Sequence, residues 1–297
     1  MTDQAKALRG LIERQKASQR DTAAPREESQ ARTIAVASGK GGVGKTNIAL
    51  SLSIALAQMD ARVCLLDANL GLGNIELLCR LNGYWNLSHV LIGARTLKDI
   101  VLEGPEGIDV IPGASGLCDL ADCSDDDRRE IFVQLAELEQ THDYIVIDTG
   151  TGIHSAVRQF VAAADVVLIV TTPEPTSIAD AYASIKALSS GGVPNLETIV
   201  NRAESAQQAR AIIEGLRNTT RLFLRTSISS AGMIPEDSQV AAAVARRMPF
   251  ILNSPHSPAS TAIRQLARRL STLASSQPSR GGFFPRVGER YPTNKAA

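Results

Sequence analysis

The sequence predicts an α/β fold, a doubly wound and mostly parallel sheet with helices on both faces. Two observations predict it. Short apolar, β-branched runs alternate with segments of helical spacing from Thr33 to about Ala274, as in parallel sheets covered on both sides. Three of the runs end in polar residues, namely Asp67, Asp148 and Asn201, and ligands of such sheets collect at the carboxyl ends of the strands. With 297 residues, 44% of them hydrophobic, the chain is expected to form one domain.

The strongest motif follows the first predicted strand, Thr33 to Ala37. Residues 39–46 fit the pattern G-x-x-x-x-G-K-[ST], and the apolar residues after them recur at helical spacing. In this motif glycines let backbone N–H groups close on phosphates, the lysine contacts the terminal phosphates, and the hydroxyl contacts Mg²⁺. The predicted phosphate-binding residues are Gly39, Lys40, Gly41, Gly42, Val43, Gly44, Lys45 and Thr46.

A second lysine, Lys40, stands directly after the first glycine of this loop. The loop therefore resembles the deviant phosphate loop of the MinD/ParA ATPases, which have the SIMIBI type of P-loop fold. The resemblance implies ATP and Mg²⁺ as cofactors and a homodimer when ATP is bound. It also implies that Lys40 contacts the phosphates bound by the other subunit, as an arginine finger does. The alternative for Lys40 is a solvated loop lysine.

The polar ends of two strands match the switch regions of the same family. Asp67 fits the first aspartate of Asp-x-Asp-x-Gly, and Asp148 ends the run Tyr144 to Ile147. The resemblance gives Thr46, Asp67 and Asp148 to the Mg²⁺ shell. Position 69 is Asn where the family usually has the aspartate that positions the attacking water. Because an amide cannot accept a proton as a carboxylate can, slow hydrolysis is expected. The implied catalytic set is Lys40, Lys45, Asp67, Asn69 and Asp148.

Two later segments resemble the part of the family's site that holds the base. Asn201 and Arg202 end a strand, and an amide can both donate to and accept from the adenine edge. Pro235 and Asp237 lie in a turn similar to the family's Ile/Val-Pro-x-Asp segment. The alternative for each of these residues is a loop residue that fixes a turn.

Two short segments narrow the resemblance to the flagellar FlhG/FleN (YlxH) group. Residues 174–182, Glu-Pro-Thr-Ser-Ile-Ala-Asp-Ala-Tyr, match that group better than ParA proteins. The N-terminal helix predicted over residues 1–16 begins with Asp-Gln-Ala-Lys-Ala-Leu-Arg at residues 3–9. This resembles the Asp-Gln-Ala-x-x-Leu-Arg segment that in that group binds and stimulates the GTPase FlhF. The alternative is a solvated helix without a partner. The predicted partner-binding residues are Asp3, Gln4, Ala5, Leu8 and Arg9.

The regions outside the ATPase domain, predicted over residues 33–275, are expected to be flexible. Residues 17–32 are polar and predict a tether, and the glycines and prolines of residues 276–297 predict a tail without a helix. The alternative for this tail is weak contact with an anionic surface, made by Phe283, Phe284, Arg286 and Arg290.

Composition limits location and partners. Lys+Arg and Asp+Glu are both 31, so no overall charge attracts nucleic acid or an anionic membrane. The N-terminal residues do not contain the apolar core of a signal peptide, so a cytoplasmic location is expected. A peripheral location at the inner face of the membrane or at the cell pole is the alternative. Cys118 and Cys123 lack metal-ligand spacing and are interpreted as loop or packing thiols.

Together these features predict an ATPase switch that controls flagellar number and placement. Its downstream partner, besides FlhF, is expected to be a flagellar switch-complex protein or a flagellar transcription activator. Two alternatives remain open: a ParA- or MinD-type positioner of DNA or of the division site, and a nucleotide-sensing scaffold with little turnover.

Overall fold

The computed structural model describes residues 30–68, 75–113, 125–152, 155–189, 195–276 and 282–290. Within them, eight strands form one sheet in the order β3-β4-β2-β5-β1-β6-β7-β8. β3 pairs antiparallel with β4, and the other neighbours are parallel. The strands are β1 (Arg32–Ser38), β2 (Val63–Ala68), β3 (Leu102–Glu103), β4 (Asp109–Ile111), β5 (Tyr144–Thr151), β6 (Val166–Thr171), β7 (Leu196–Ala203) and β8 (Ser229–Pro235).

Helices connect the parallel strands and cover both faces of the sheet, as the alternating pattern predicts. A short 3₁₀ turn, Pro105–Gly107, joins β3 to β4. The α-helices are α1 (Lys45–Ala57), α2 (Ile75–Cys79), α3 (Leu87–Leu91), α4 (Leu97–Ile100), α5 (Asp125–Thr141), α6 (Ser155–Ala163), α7 (Pro175–Ser189), α8 (Ala206–Leu224), α9 (Ser238–Ala245), α10 (Phe250–Asn253), α11 (Pro258–Ser276) and α12 (Phe283–Glu289).

Side chains from opposite faces of the central strands build two hydrophobic clusters. In β1, Ala35 and Ala37 face the cluster that contains residues of α5, α6, α7 and α12. Ile34 and Val36 face the cluster that contains residues of α1 and α11. Because successive residues of a strand point to opposite faces, a strand buried on both sides is continuously apolar. The predicted fold class is confirmed.

The prediction of a tail without a helix is wrong over residues 283–289, which form α12. Gly282 lies before the helix with a φ of 53°, and Pro285 lies in its first turn, where a proline removes no intrahelical hydrogen bond. Two of the residues expected to break a helix, Gly282 and Pro285, therefore lie where a helix tolerates them.

The aromatic residues of α12 are buried, so in this conformation they do not form the contact with an anionic surface that is the alternative for the tail. Phe283 and Phe284 pack in the core. Their backbone N–H groups donate to the carboxylate of Glu139 on α5, at 2.7 and 2.9 Å. Arg286 donates to the carbonyl oxygen of Ala163 at 2.8 Å. α12 is thus attached to both α5 and α6.

The start of the domain differs slightly from the prediction. β1 begins at Arg32, one residue before the predicted domain start. The N-terminal helix, Cys118, Cys123 and most of the predicted tether lie outside the described residues. No helix in the described part of the chain is both long and apolar enough to cross a bilayer.

Candidate functional site: a phosphate loop between two carboxylates

The phosphate loop joins the end of β1 at Ser38 to the start of α1 at Lys45. Gly42 and Gly44 have φ values of 75° and 95°, in the left-handed region that glycine adopts readily. α1 then begins with its N-terminus at the loop, so its first N–H groups and its dipole favour an anion there. The local geometry is that of a phosphate-binding loop.

Lys45 is buried next to the loop and donates from Nζ to Ser38 Oγ at 2.9 Å. Ser38 Oγ in turn donates to the carbonyl oxygen of Lys40 at 2.7 Å. Burial lowers the pKa of Lys45, and the charge of Asp148 offsets this in part. A buried ammonium with a single neutral hydrogen-bond partner among the described residues is well suited to bind an anion that completes its shell.

The two predicted switch carboxylates lie side by side. Asp67 and Asp148 face each other in the register of β2 and β5, and both are buried. Burial and the neighbouring charge of Asp67 raise the pKa of Asp148 to about 7, while the Thr46 hydroxyl and the Lys45 ammonium act in the opposite direction. Neither carboxylate oxygen of Asp148 has a hydrogen-bond partner closer than 3.5 Å among the described residues.

This arrangement fits a hydrated divalent cation. Oxygen ligands suit Mg²⁺, which keeps several waters and takes one or two carboxylates from the protein. The unpartnered buried oxygens of Asp148, beside Asp67 and Thr46, provide acceptors for those waters. We infer that Thr46, Asp67 and Asp148 would hold the ion.

Lys40 points to its own chain. Its Nζ lies 2.5 Å from Glu174 Oε2 and 2.8 Å from Thr176 Oγ1, both at the start of α7. The hydrogen bond and the charge of Lys40 lower the pKa of Glu174. The predicted contact of Lys40 with a second subunit is not tested by a single chain and stays a prediction.

The residues predicted to hold the base have structural contacts in this chain. Asn201 Nδ2 donates to the carbonyl oxygen of Val43 at 2.7 Å, so Asn201 supports the phosphate loop directly. Arg202, exposed and with a φ of 56°, follows it. Pro235 ends β8 and pairs with Ala203.

Asp237 caps the next helix, α9. Its carboxylate accepts from the N–H groups of Gln239 and Ala259, at 2.9 and 3.1 Å. Burial would raise the pKa of Asp237, but these hydrogen bonds outweigh it and lower the pKa. A cap explains this residue fully, and its predicted contact with a nucleotide stays a prediction. Asn69 and the predicted partner-binding residues Asp3, Gln4, Ala5, Leu8 and Arg9 lie outside the described residues.

The structure adds Ser38, Glu174 and Thr176 to the site, none of which belongs to the phosphate-loop pattern, and it shows how Gly39 is packed. Gly39 packs so closely on α7 that a Cβ atom would lie 2.4 Å from the carbonyl oxygen of Asp180. Ser38, Glu174 and Thr176 bind the two lysines of the loop. Glu174 and Thr176 follow β6, which is a direct neighbour of β1, so both residues lie at the ligand-binding edge of the sheet.

Comparison with known proteins identifies relatives of this chain. Residues 31–191 match the family model described as AAA domain. The chain is 37% identical to the antiactivator FleN of Pseudomonas aeruginosa over 267 residues, which cover 89% of this chain and 95% of FleN. It is 34% identical to the flagellum site-determining protein YlxH of Helicobacter pylori, over 86% of this chain and 88% of YlxH.

Solved structures of MinD proteins are similar to this chain. MinD in the MinC:MinD complex of Aquifex aeolicus has a TM-score of 0.67 and 29% identity, covering 82% of this chain and 96% of that one. MinD of Pyrococcus horikoshii, complexed with Mg-ADP, has a TM-score of 0.68 over 83% and 98% of the two chains; at 24% identity it supports the fold. The phosphate loop, the paired carboxylates and these likenesses lead to one conclusion: the chain belongs to the MinD/ParA-like family of P-loop ATPases, with FleN and YlxH among its relatives.

Proposed function

We propose that this chain is an ATP-dependent dimerising switch that controls flagellar number and placement. The observation that supports it most is the second lysine, Lys40, in the loop of the candidate phosphate site, in a chain similar to FleN over 89% of its length. The names of FleN and YlxH refer to activation control and to the flagellum site, which motivates the flagellar role.

In this proposal the chain's own residues perform separate tasks. Lys45 leaves Ser38 to bind the terminal phosphates, and the N-terminus of α1 accepts their charge. Thr46, Asp67 and Asp148 hold Mg²⁺, whose chemistry is to neutralise charge on the phosphate oxygens. Lys40 leaves Glu174 and reaches the phosphates of the second subunit, so that phosphate occupancy and dimerisation depend on each other.

Size-exclusion chromatography with light scattering tests this reaction cycle. We expect ATP to produce a dimer and ADP a monomer. Lys45→Ala should abolish nucleotide binding in calorimetry. Lys40→Ala should bind ATP and stay monomeric. An ATP dimer of normal stability in the Lys40→Ala variant would contradict the proposal.

Asn69 predicts slow hydrolysis, because its amide can hold a water and cannot accept its proton. Asn69→Asp should raise the rate of phosphate release at saturating ATP. Equal rates in the two proteins would remove this part of the proposal.

The N-terminal segment is proposed to act on FlhF. Removal of the first 20 residues should abolish capture of FlhF and stimulation of its GTPase activity, while ATP binding stays unchanged. Gln4→Ala provides a smaller change within the same segment. A truncated protein that still stimulates FlhF would refute this role.

A scaffold that senses ATP with little turnover is the second candidate, and Asn69 favours it. Single-turnover hydrolysis, measured alone and with FlhF, separates it from a cycling ATPase. A positioner of DNA or of the division site is a third, which predicts ATP-dependent binding of DNA with a steep salt dependence, or of vesicles.

A further inference from the structure

A cavity lined by arginines shares no lining residue with the phosphate loop. It has a volume of about 530 Å³ and lies between the C-terminal ends of α2 and α9. Arg80 lies on one wall, and Arg246 and Arg247 lie on the other. Arg80 Nη2 donates to the carbonyl oxygen of Arg246 at 2.8 Å, so the two walls are joined. We call this cavity the arginine pocket.

The charge of the arginine pocket is not balanced within the described residues. None of its three arginines belongs to an ion pair there. The single carboxyl group in its lining is Glu76, and burial raises the pKa of Glu76, which disfavours its charged form. Three arginines that line one concave site favour an anionic ligand, because a guanidinium group can bind a carboxylate through two parallel hydrogen bonds.

Two of these arginines adopt a backbone conformation that usually belongs to glycine. Arg80 directly follows α2 and has a φ of 54°, and Arg247 is the second residue after α9 and has a φ of 51°. Glycine or asparagine is the usual residue at such positions, because a Cβ atom is unfavourable there. This chain has arginine at both positions, and both residues line the same cavity.

Apolar side chains accompany the charge. Leu77 lines the pocket and is 54% exposed. Val244 and Met248, which are also among the exposed large hydrophobic residues, flank the pocket arginines in sequence. The ligand is therefore expected to combine negative charge with an apolar group.

We propose that the arginine pocket binds an acidic segment of a partner protein, with carboxylates on the arginines and one apolar side chain on Leu77. A local site in a chain of zero net charge favours a short peptide over nucleic acid, which needs an extended basic surface. An apolar contact beside the arginines also favours a peptide over a free phosphate.

Fluorescence anisotropy on the full-length protein tests the proposal with a labelled peptide in which glutamate pairs alternate with single leucines. The double variant Arg246→Gln, Arg247→Gln should weaken peptide binding about tenfold or more, because it removes two charge-assisted contacts. Leu77→Asp should weaken it as well. The control removes two exposed arginines of α8, Arg217→Gln and Arg221→Gln, and should leave the affinity unchanged within about twofold.

Three results would overturn the proposal. The first is absence of peptide binding by the wild-type protein. The second is an equal loss in the pocket and control variants. The third is that Arg246 and Arg247 are needed for binding of duplex DNA, inorganic phosphate or phosphatidylglycerol vesicles but are not needed for peptide binding. Thermal melts of each variant confirm that the fold is retained. The peptide measurement needs no nucleotide, so its outcome is independent of the proposed ATP cycle.

Discussion

Phe284→Ala tests whether α12 is part of the folded domain. Phe284 has no exposed surface, and its ring packs edge-on against that of Phe283 at a centroid distance of 4.9 Å. Truncation of a buried Phe to Ala typically costs about 3–5 kcal/mol, from lost transfer free energy and the cavity that remains. We therefore expect the free energy of unfolding to fall by about 4 kcal/mol, and Tm by about 8–16 °C.

Urea unfolding followed by circular dichroism measures this change, since the midpoint falls with stability. The matched control is Phe223→Ala on α8. Phe223 is 70% exposed, so its truncation should change stability by at most about 0.5 kcal/mol. If Phe284→Ala costs no more than Phe223→Ala, α12 does not contribute to the stability of the domain and the reasoning from its burial is refuted.

Three further predictions follow from other contacts. Burial raises the pKa of Glu139, so its carboxyl group favours folding at low pH, and this contribution is lost as pH rises through the raised pKa. In urea titrations, the stability of Glu139→Gln relative to wild type should therefore increase with rising pH. Glu137→Gln, an exposed control on α5, should show no such trend. Glu174→Gln removes the charge that holds Lys40 and should let the ATP dimer form at lower protein concentration in analytical ultracentrifugation; an unchanged dimer affinity would show that this pair does not restrain Lys40. Gly39→Ala places a Cβ atom against α7, and overpacking of this kind costs about 1–3 kcal/mol. Calorimetry should therefore show nucleotide binding weakened about 5- to 150-fold. Gly215→Ala, with open space around the added Cβ atom, should bind nucleotide as the wild type does.

The positions of the central strands and of the phosphate loop could be predicted because they depend on local pattern. A run that is apolar on both faces predicts a buried parallel strand, and a polar residue at its end lies at the ligand-binding edge. Asp67 and Asp148 are far apart in the sequence, yet β2 and β5 are neighbours and place them opposite each other. Their burial, and the raised pKa of Asp148, follow from that pairing and required the structure.

The contacts of Lys40 and the helix α12 could not be predicted in the same way. Lys40 and Glu174 meet because β6 lies beside β1, and strand order is not written in local periodicity. In α12, counting glycines and prolines predicted a flexible tail, although Gly282 and Pro285 occupy the two positions where a helix start accepts them. A short segment of this kind is marginal alone and becomes a helix when its apolar side chains are buried by α5 and α6.

The sequence by itself determined the fold class, the phosphate loop and its second lysine, because each depends on residues close together in the chain. The tertiary structure decided which groups those residues meet: Ser38 for Lys45, Glu174 for Lys40, Asp148 for Asp67, and the core for Phe284. The physical reason is that hydrogen bonds, ion pairs and burial act over a few ångströms in space, so they depend on how distant segments pack together.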